Sequence, residues 1–169
     1  MIARVYNRDV SALEPGARFP EVSFRDEKGA AITRPFGETL YVVFKTTCPT
    51  CELTWPYLER LRQSAGPSGL RILAVSQDDP TKTEAFNRRL GSSVETIYDP
   101  QPWTASNRLG VSTVPTFFRV AADGTLAETA DGFSRERLEN LARRAATLAG
   151  KPYEKIFRPS DQAPATKPG

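Results

Sequence analysis

The stretch that most constrains the fold is an apolar run followed at once by two close cysteines. Leu40-Tyr41-Val42-Val43-Phe44 is continuous, partly β-branched and bordered by polar residues. Such a run predicts a central strand buried on both faces. Thr46-Thr47-Cys48-Pro49-Thr50-Cys51 follows, and then Leu53, Tyr57, Leu58 and Leu61 recur at helical spacing. Pro49 suits the first position of a helix. The order is therefore strand, Cys-x-x-Cys, helix. Pro56 falls inside that helix, where a missing N–H predicts a kink, and Gly66-Pro67-Ser68-Gly69 ends it.

Cys48 and Cys51 are the only cysteines of the 169 residues, and there is no histidine. The missing histidines remove imidazole bases, Cys-His and Ser-His nucleophile pairs, and imidazole metal ligands. Two cysteines alone fall short of the four ligands of a structural zinc site. A redox dithiol and a pair of buried inert thiols remain, and the strand–helix context favours the dithiol. At a helix N-cap the Cys48 sulfur would face unpaired N–H groups and the positive end of the helix dipole. That environment favours thiolate, so Cys48 is the expected nucleophile. Cys51, nearly one turn later, is placed to attack a mixed disulfide on Cys48.

The remaining chain alternates strand and helix patterns. Phe19–Phe24, a turn at Asp26-Glu27-Lys28-Gly29 and Ala30–Thr33 read as an N-terminal hairpin. Leu70–Val75 is the next strand. Thr81-Lys82-Thr83-Glu84 has the form of a capping box opening a second helix that Gly91 closes. Val94–Tyr98 reads as a strand, and Asp99-Pro100 as the start of a helix running to Leu109-Gly110. Thr116–Val120 and Thr125–Glu128, joined by Ala122-Asp123-Gly124, form a hairpin. Ser134 caps a last helix with Leu138, Leu141, Ala142, Ala145 and Leu148 on its buried stripe, Phe133 stapled to Leu138, and Gly150 as its stop. The expected division is an extension over 1–13, one domain over 14–150, and a mobile, proline-rich tail over 151–169. The fold class is α/β, a mixed central sheet flanked by helices.

Charge adds little. The net charge is +3, with the basic residues scattered, which reads as a solvated surface and not a nucleic-acid footprint. No apolar run reaches membrane-spanning length, and the first nine residues lack the apolar core of a signal peptide. No membrane insertion and a cytoplasmic, reducing location are the expectations.

Val114-Pro115-Thr116 precedes an apolar strand, and a proline entering a strand is a candidate cis peptide. Together with Cys48-Pro49-Thr50-Cys51, Pro56, and the run Gly110–Thr116, it resembles the thioredoxin superfamily. More closely, the chain resembles the TlpA/ResA-like redoxins over roughly residues 14–148. The resemblance implies a thioredoxin fold with an N-terminal hairpin and an inserted strand–helix. It implies cis-Pro115 beside the cysteines, with Val114 pairing its backbone with a partner chain and Thr47, Pro49 and Thr50 around the contact. It also implies thiol–disulfide exchange with cysteine-containing proteins through transient mixed disulfides, supplied by a thiol reductant or a thioredoxin-reductase-type donor. The only redox group would be the Cys48–Cys51 disulfide, with no other cofactor and no metal.

The chain also departs from that pattern. Val42 stands where thioredoxins carry a buried acid, and Thr47 where they carry tryptophan. A ResA-like carboxylate is expected after the Leu70–Val75 strand. Asp78 and Asp79 lie there, and Asp79 is the better-placed candidate for proton transfer with Cys51. The competing reading is that both aspartates cap the next helix. Lys45 should favour thiolate and Glu52 oppose it. A peroxiredoxin-like peroxidase is the second functional reading, weakened because Tyr41 and Lys45 occupy the Pro and Thr positions of the Pro-x-x-x-Thr-x-x-Cys run. A non-catalytic binding module is the third.

Overall fold

The computed structural model describes residues 13–32, 37–67 and 69–169. The expected 1–13 extension therefore lies, apart from Leu13, outside the described residues. Among the described residues seven strands form one mixed sheet. They are β1 (Phe24–Arg25), β2 (Ala31–Ile32), β3 (Thr39–Phe44), β4 (Arg71–Ser76), β5 (Glu95–Tyr98), β6 (Thr116–Val120) and β7 (Leu126–Asp131), in the order β2-β1-β5-β4-β3-β6-β7. Parallel pairing joins β3, β4 and β5, and β6 and β7 run antiparallel on the far side of β3.

β3 is central, and all six of its residues are buried. Successive side chains of a strand point to opposite faces. Leu40, Val42 and Phe44 enter one core with helices α1 (Pro49–Ala65) and α4 (Arg135–Ala149). Helix α2 (Pro80–Arg89) adds Phe86 to that core, against Phe44 and Trp55. Tyr41 and Val43 enter the second core with Phe19, Leu73, Ile97, Phe118 and two residues at helix α3 (Thr104–Arg108), Ala105 and Leu109. The two cores give the sheet its two covered faces.

Several boundaries differ from the sequence expectations. The N-terminal hairpin is short, because Phe19 leaves the strand ladder to donate to the Gly124 carbonyl and stack on Tyr41. Helix α2 begins at Pro80 with Asp79 as N-cap, not at the Thr81 capping box. Thr83, the third residue of that box, instead gives its hydroxyl to the Asp79 carbonyl and shares a hydrogen bond with Ser76. Helix α3 is confined to five residues. Pro100 and Pro102 leave the expected first turn short of N–H donors. Residues 100–103 make a tight turn there, and buried Asp99 accepts from the N–H groups of Ala105 and Ser106 across it. Helix α1 runs unbroken through Pro56.

The largest difference concerns residues 151–169, expected as a mobile tail. They are packed. Ile156 and Phe157 are buried, and Phe157 stacks on Tyr57 with ring centroids 4.2 Å apart. Arg60 holds Asp161 at 2.6 Å, and strand β9 (Thr166–Lys167) pairs with β8 (Phe133–Ser134). Burying two large apolar side chains supplies the free energy that the proline-rich composition concealed. Among the described residues no helix is long and apolar enough to cross a membrane.

Candidate active site

The site lies where β3 hands over to α1. Lys45, Thr46 and Thr47 leave the sheet, and Cys48 becomes the N-cap of α1 with Pro49 at its first position. The Cys48 sulfur accepts the Cys51 N–H at 3.1 Å, one of the donors a helix start leaves unpaired. It also donates its thiol hydrogen to the Val114 carbonyl at 3.3 Å. The Val114–Pro115 bond is cis, and Pro115 is buried. A residue 66 positions along the chain thus touches the nucleophile's sulfur.

The two thiols sit in different surroundings. Both are free, with Cys48 partly exposed and Cys51 buried. Cys51 has no exposure and belongs to the apolar core with Val42, Phe44 and Trp55. Burial, reinforced by the adjacent Cys48 sulfur, pushes the Cys51 thiol well above the usual thiol range. An accessible sulfur in front of a dry, protonated one is an asymmetric dithiol. It can accept a partner's sulfur at Cys48 and hold the second thiol in reserve.

The remaining predicted residues fall unevenly around this pair. Thr47 and Pro49 are exposed beside Cys48, and Val114 is half-buried. Thr50 is buried and donates its hydroxyl to the Pro168 carbonyl at 2.7 Å. Val42, in the place of the usual acid, is fully buried on the same face as Phe44. Asp79 takes the capping role: its carboxylate accepts the Lys82 N–H and pairs with the Lys82 ammonium, both of which hold it below the usual carboxylate range. Its neighbour Asp78 is turned toward the thiol loop and accepts both the N–H and the hydroxyl of Thr46, at 2.7 and 2.9 Å. Adjacent aspartates have no sequence signal that tells which one will face the site.

Two further charges are committed elsewhere. Glu52 pairs with Arg89, which holds its carboxyl down. Lys45 lies over the Trp103 ring at 4.4 Å, and the Trp103 indole donates to the Gln77 carbonyl. Trp103, a left-handed residue on the loop before α3, was not singled out by the sequence. Among the described residues there is no cluster of three or more His, Cys, Asp or Glu able to hold a metal.

Comparison with known proteins agrees with this architecture. The chain is similar to the thiol-disulfide oxidoreductase ResA of Geobacillus kaustophilus, 27% identical over 134 residues, covering 76% of each chain. Among solved structures it is similar to a chain assigned as the thiol:disulfide interchange protein DsbE of Chlorobium tepidum. That match has a TM-score of 0.69 and 17% identity, covering 80% of this chain and 98% of that one. StoA of Bacillus subtilis matches with a TM-score of 0.58 and 16% identity, over 75% of this chain and 96% of that one. These structural matches carry the thioredoxin fold, with its mixed sheet between helices. The AhpC/TSA family profile matches residues 15–129, well over half of the chain and including both cysteines, and the chain belongs to the AhpC/TSA family.

Proposed function

We propose that the chain is a thiol–disulfide oxidoreductase acting on cysteine-containing proteins. The observation that carries this reading is the asymmetric dithiol: Cys48 accessible at a helix N-cap, Cys51 fully buried behind it. In the reducing direction the Cys48 thiolate attacks one sulfur of a partner disulfide. A mixed disulfide forms, and the partner's other sulfur leaves as thiolate. Cys51 then gives up its proton and attacks the Cys48 sulfur. The partner's second thiolate leaves, and Cys48–Cys51 is a disulfide. Two electrons have passed to the partner, and a thiol reductant or a thioredoxin-reductase-type donor restores the dithiol. Thr47, Pro49, Thr50 and Val114 are the surface on which the partner's chain rests, with Pro115 setting the position of Val114. The proton of Cys51 is not assigned to Asp79, whose carboxylate is engaged with Lys82.

The test is a pair of substitutions. Cys48→Ser should abolish reduction of insulin disulfides. Cys51→Ser should accumulate mixed disulfides with partner proteins, and failure to trap any would count against exchange. The reduction potential sets the direction: near about −270 mV the chain is a reductant, near about −120 mV an oxidant.

Membership of the AhpC/TSA family supports one second reading, reduction of a peroxide. There the Cys48 thiolate would take an oxygen atom, releasing the alcohol or water, and Cys51 would condense with the sulfenic acid to give a disulfide and water. Lys45 stands where a peroxide-positioning threonine is needed, and its ammonium is drawn onto Trp103. Rapid turnover of hydrogen peroxide with a thiol recycling system would reverse the ranking.

A further inference from the structure

Residues 151–169 return from the end of α4 to the thiols. Their first half is an anchor. Ile156 and Phe157 are buried, Arg60 grips Asp161 through contacts of 2.6 and 3.2 Å, and the Phe157 N–H donates to Glu139. Their second half is exposed and lightly held. Arg135 N–H donates to the Ala165 carbonyl at 3.0 Å, and Thr166 and Lys167 pair with Ser134 and Phe133. Thr50 donates to the Pro168 carbonyl at 2.7 Å. Gly169 then lies against Thr113 and Val114, so closely that a Cβ built on it would fall 2.4 Å from the Val114 carbonyl oxygen. That oxygen is the one the Cys48 thiol reaches.

A polypeptide joined to Cys48 by a disulfide has its own Cα within about 6 Å of the Cys48 Cα. Its flanking residues must therefore cross Thr50 or Val114, which Pro168 and Gly169 now occupy. The 165–169 segment also enters as an added antiparallel strand, the mode by which extended peptides dock on a sheet edge. Its fit depends on small residues: a Cβ on Gly132 would meet the Lys167 carbonyl at 2.7 Å. A well-packed base and an exposed, lightly bonded tip make a segment that can open locally without unfolding the domain.

From this geometry we propose that residues 163–169 are an internal strap over the partner groove, and that the strap must lift before a protein disulfide reaches Cys48. The proposal rests on the exchange reading given above. Only the fraction of molecules with the strap lifted can accept a large partner, so loosening it raises the apparent affinity in proportion.

The test uses the full chain with Asp161→Ala, which removes the ion pair that steadies the strap's base outside the groove, and separately with Gly169→Val, which forces its tip off Val114. Insulin reduction should rise roughly three- to tenfold in each. Alkylation of Cys48 by iodoacetamide, which needs no groove, should change by less than about twofold. Equal insulin reduction by parent and both variants would overturn the strap and leave the exchange reading standing. No insulin reduction by any of the three, with Cys48 still alkylated, would overturn the exchange reading and the strap's role with it. A second measurement reads the strap directly. In the Cys51→Ser chain trapped with a cysteine-containing peptide, the amide of Lys167, paired with Phe133, should exchange with deuterium about tenfold faster than in the untrapped protein. Unchanged exchange would show that partner and strap do not compete.

Discussion

Burial of Cys51 makes the reduced protein sensitive to alkali in a way that can be calculated. The Cys51 thiol is fully buried among Val42, Phe44 and Trp55, and burial raises its pKa. In the unfolded chain it titrates at about 8.5. The native state therefore holds the proton where the unfolded state has lost it, and stability falls as pH rises past the unfolded value. Below pH 8.5 the contribution is fully present. Above it, the loss approaches about 1.4 kcal/mol per pH unit, so from pH 7.5 to pH 10 the cost is about 2 kcal/mol. Three tyrosines with raised pKa values, Tyr57, Tyr98 and Tyr153, titrate higher and act in the same direction. A comparison with Cys51→Ala removes their part. Urea unfolding of both reduced proteins across this range should show the parent losing about 2 kcal/mol more than the variant. A difference under about 0.5 kcal/mol would refute the dry, protonated thiol and the asymmetry built on it.

Asp78→Ala deprives Thr46 of two bonds to a carboxylate and should cost about 2 kcal/mol in urea unfolding; Asp79→Ala, losing an exposed cap, should cost clearly less in the same measurement. Phe157→Ala removes a ring stacked on Tyr57 and lying against Phe133 and the Arg135 guanidinium, and should cost about 3 kcal/mol in thermal or urea unfolding. Glu38 is buried between Arg119 and Arg144, and the bond to Arg144 leads in holding its carboxyl below the usual range. Its contribution is present above about pH 4.3 and is lost as pH falls through the depressed native value. Glu38→Gln should cost about 2 kcal/mol at neutral pH, discounted because Arg144 is partly exposed, and should flatten the acid limb of a stability–pH curve.

The parts of the fold that were legible carry strong periodic signals. Tyr41–Phe44 alternates between two cores, and Leu138, Leu141, Ala142 and Ala145 share one face of α4 behind the Ser134 cap, as their spacing requires. The illegible parts depend on single side chains in weak contexts. Ile156 and Phe157 are two apolar residues in a stretch with four prolines, and composition averages over them, although both are buried in the core. Asp78 and Asp79 differ by one position, and only the tertiary path after β4 turns one toward Thr46 and the other onto Lys82. The Thr81 capping box gives way for a similar reason: Asp79 with Pro80 makes the stronger start, and the Thr83 hydroxyl bonds Ser76.

The Val114 carbonyl links the chemistry of the thiol to the docking surface. While Cys48 is a thiol, its hydrogen occupies that oxygen at 3.3 Å. A thiolate, or a sulfur in a disulfide, has no hydrogen to give. Forming the nucleophile or the mixed disulfide therefore removes a donor from a half-buried acceptor, which costs free energy until another N–H replaces it. A partner chain crossing Val114 carries such an N–H, whereas the strap sets Gly169 beside this oxygen, where an added Cβ would fall 2.4 Å away. Ionisation of Cys48 thus shifts the competition at Val114 toward a hydrogen-bonding partner and away from residues 163–169. The preference needs no movement of the sheet, because the group that changes is the proton on one sulfur.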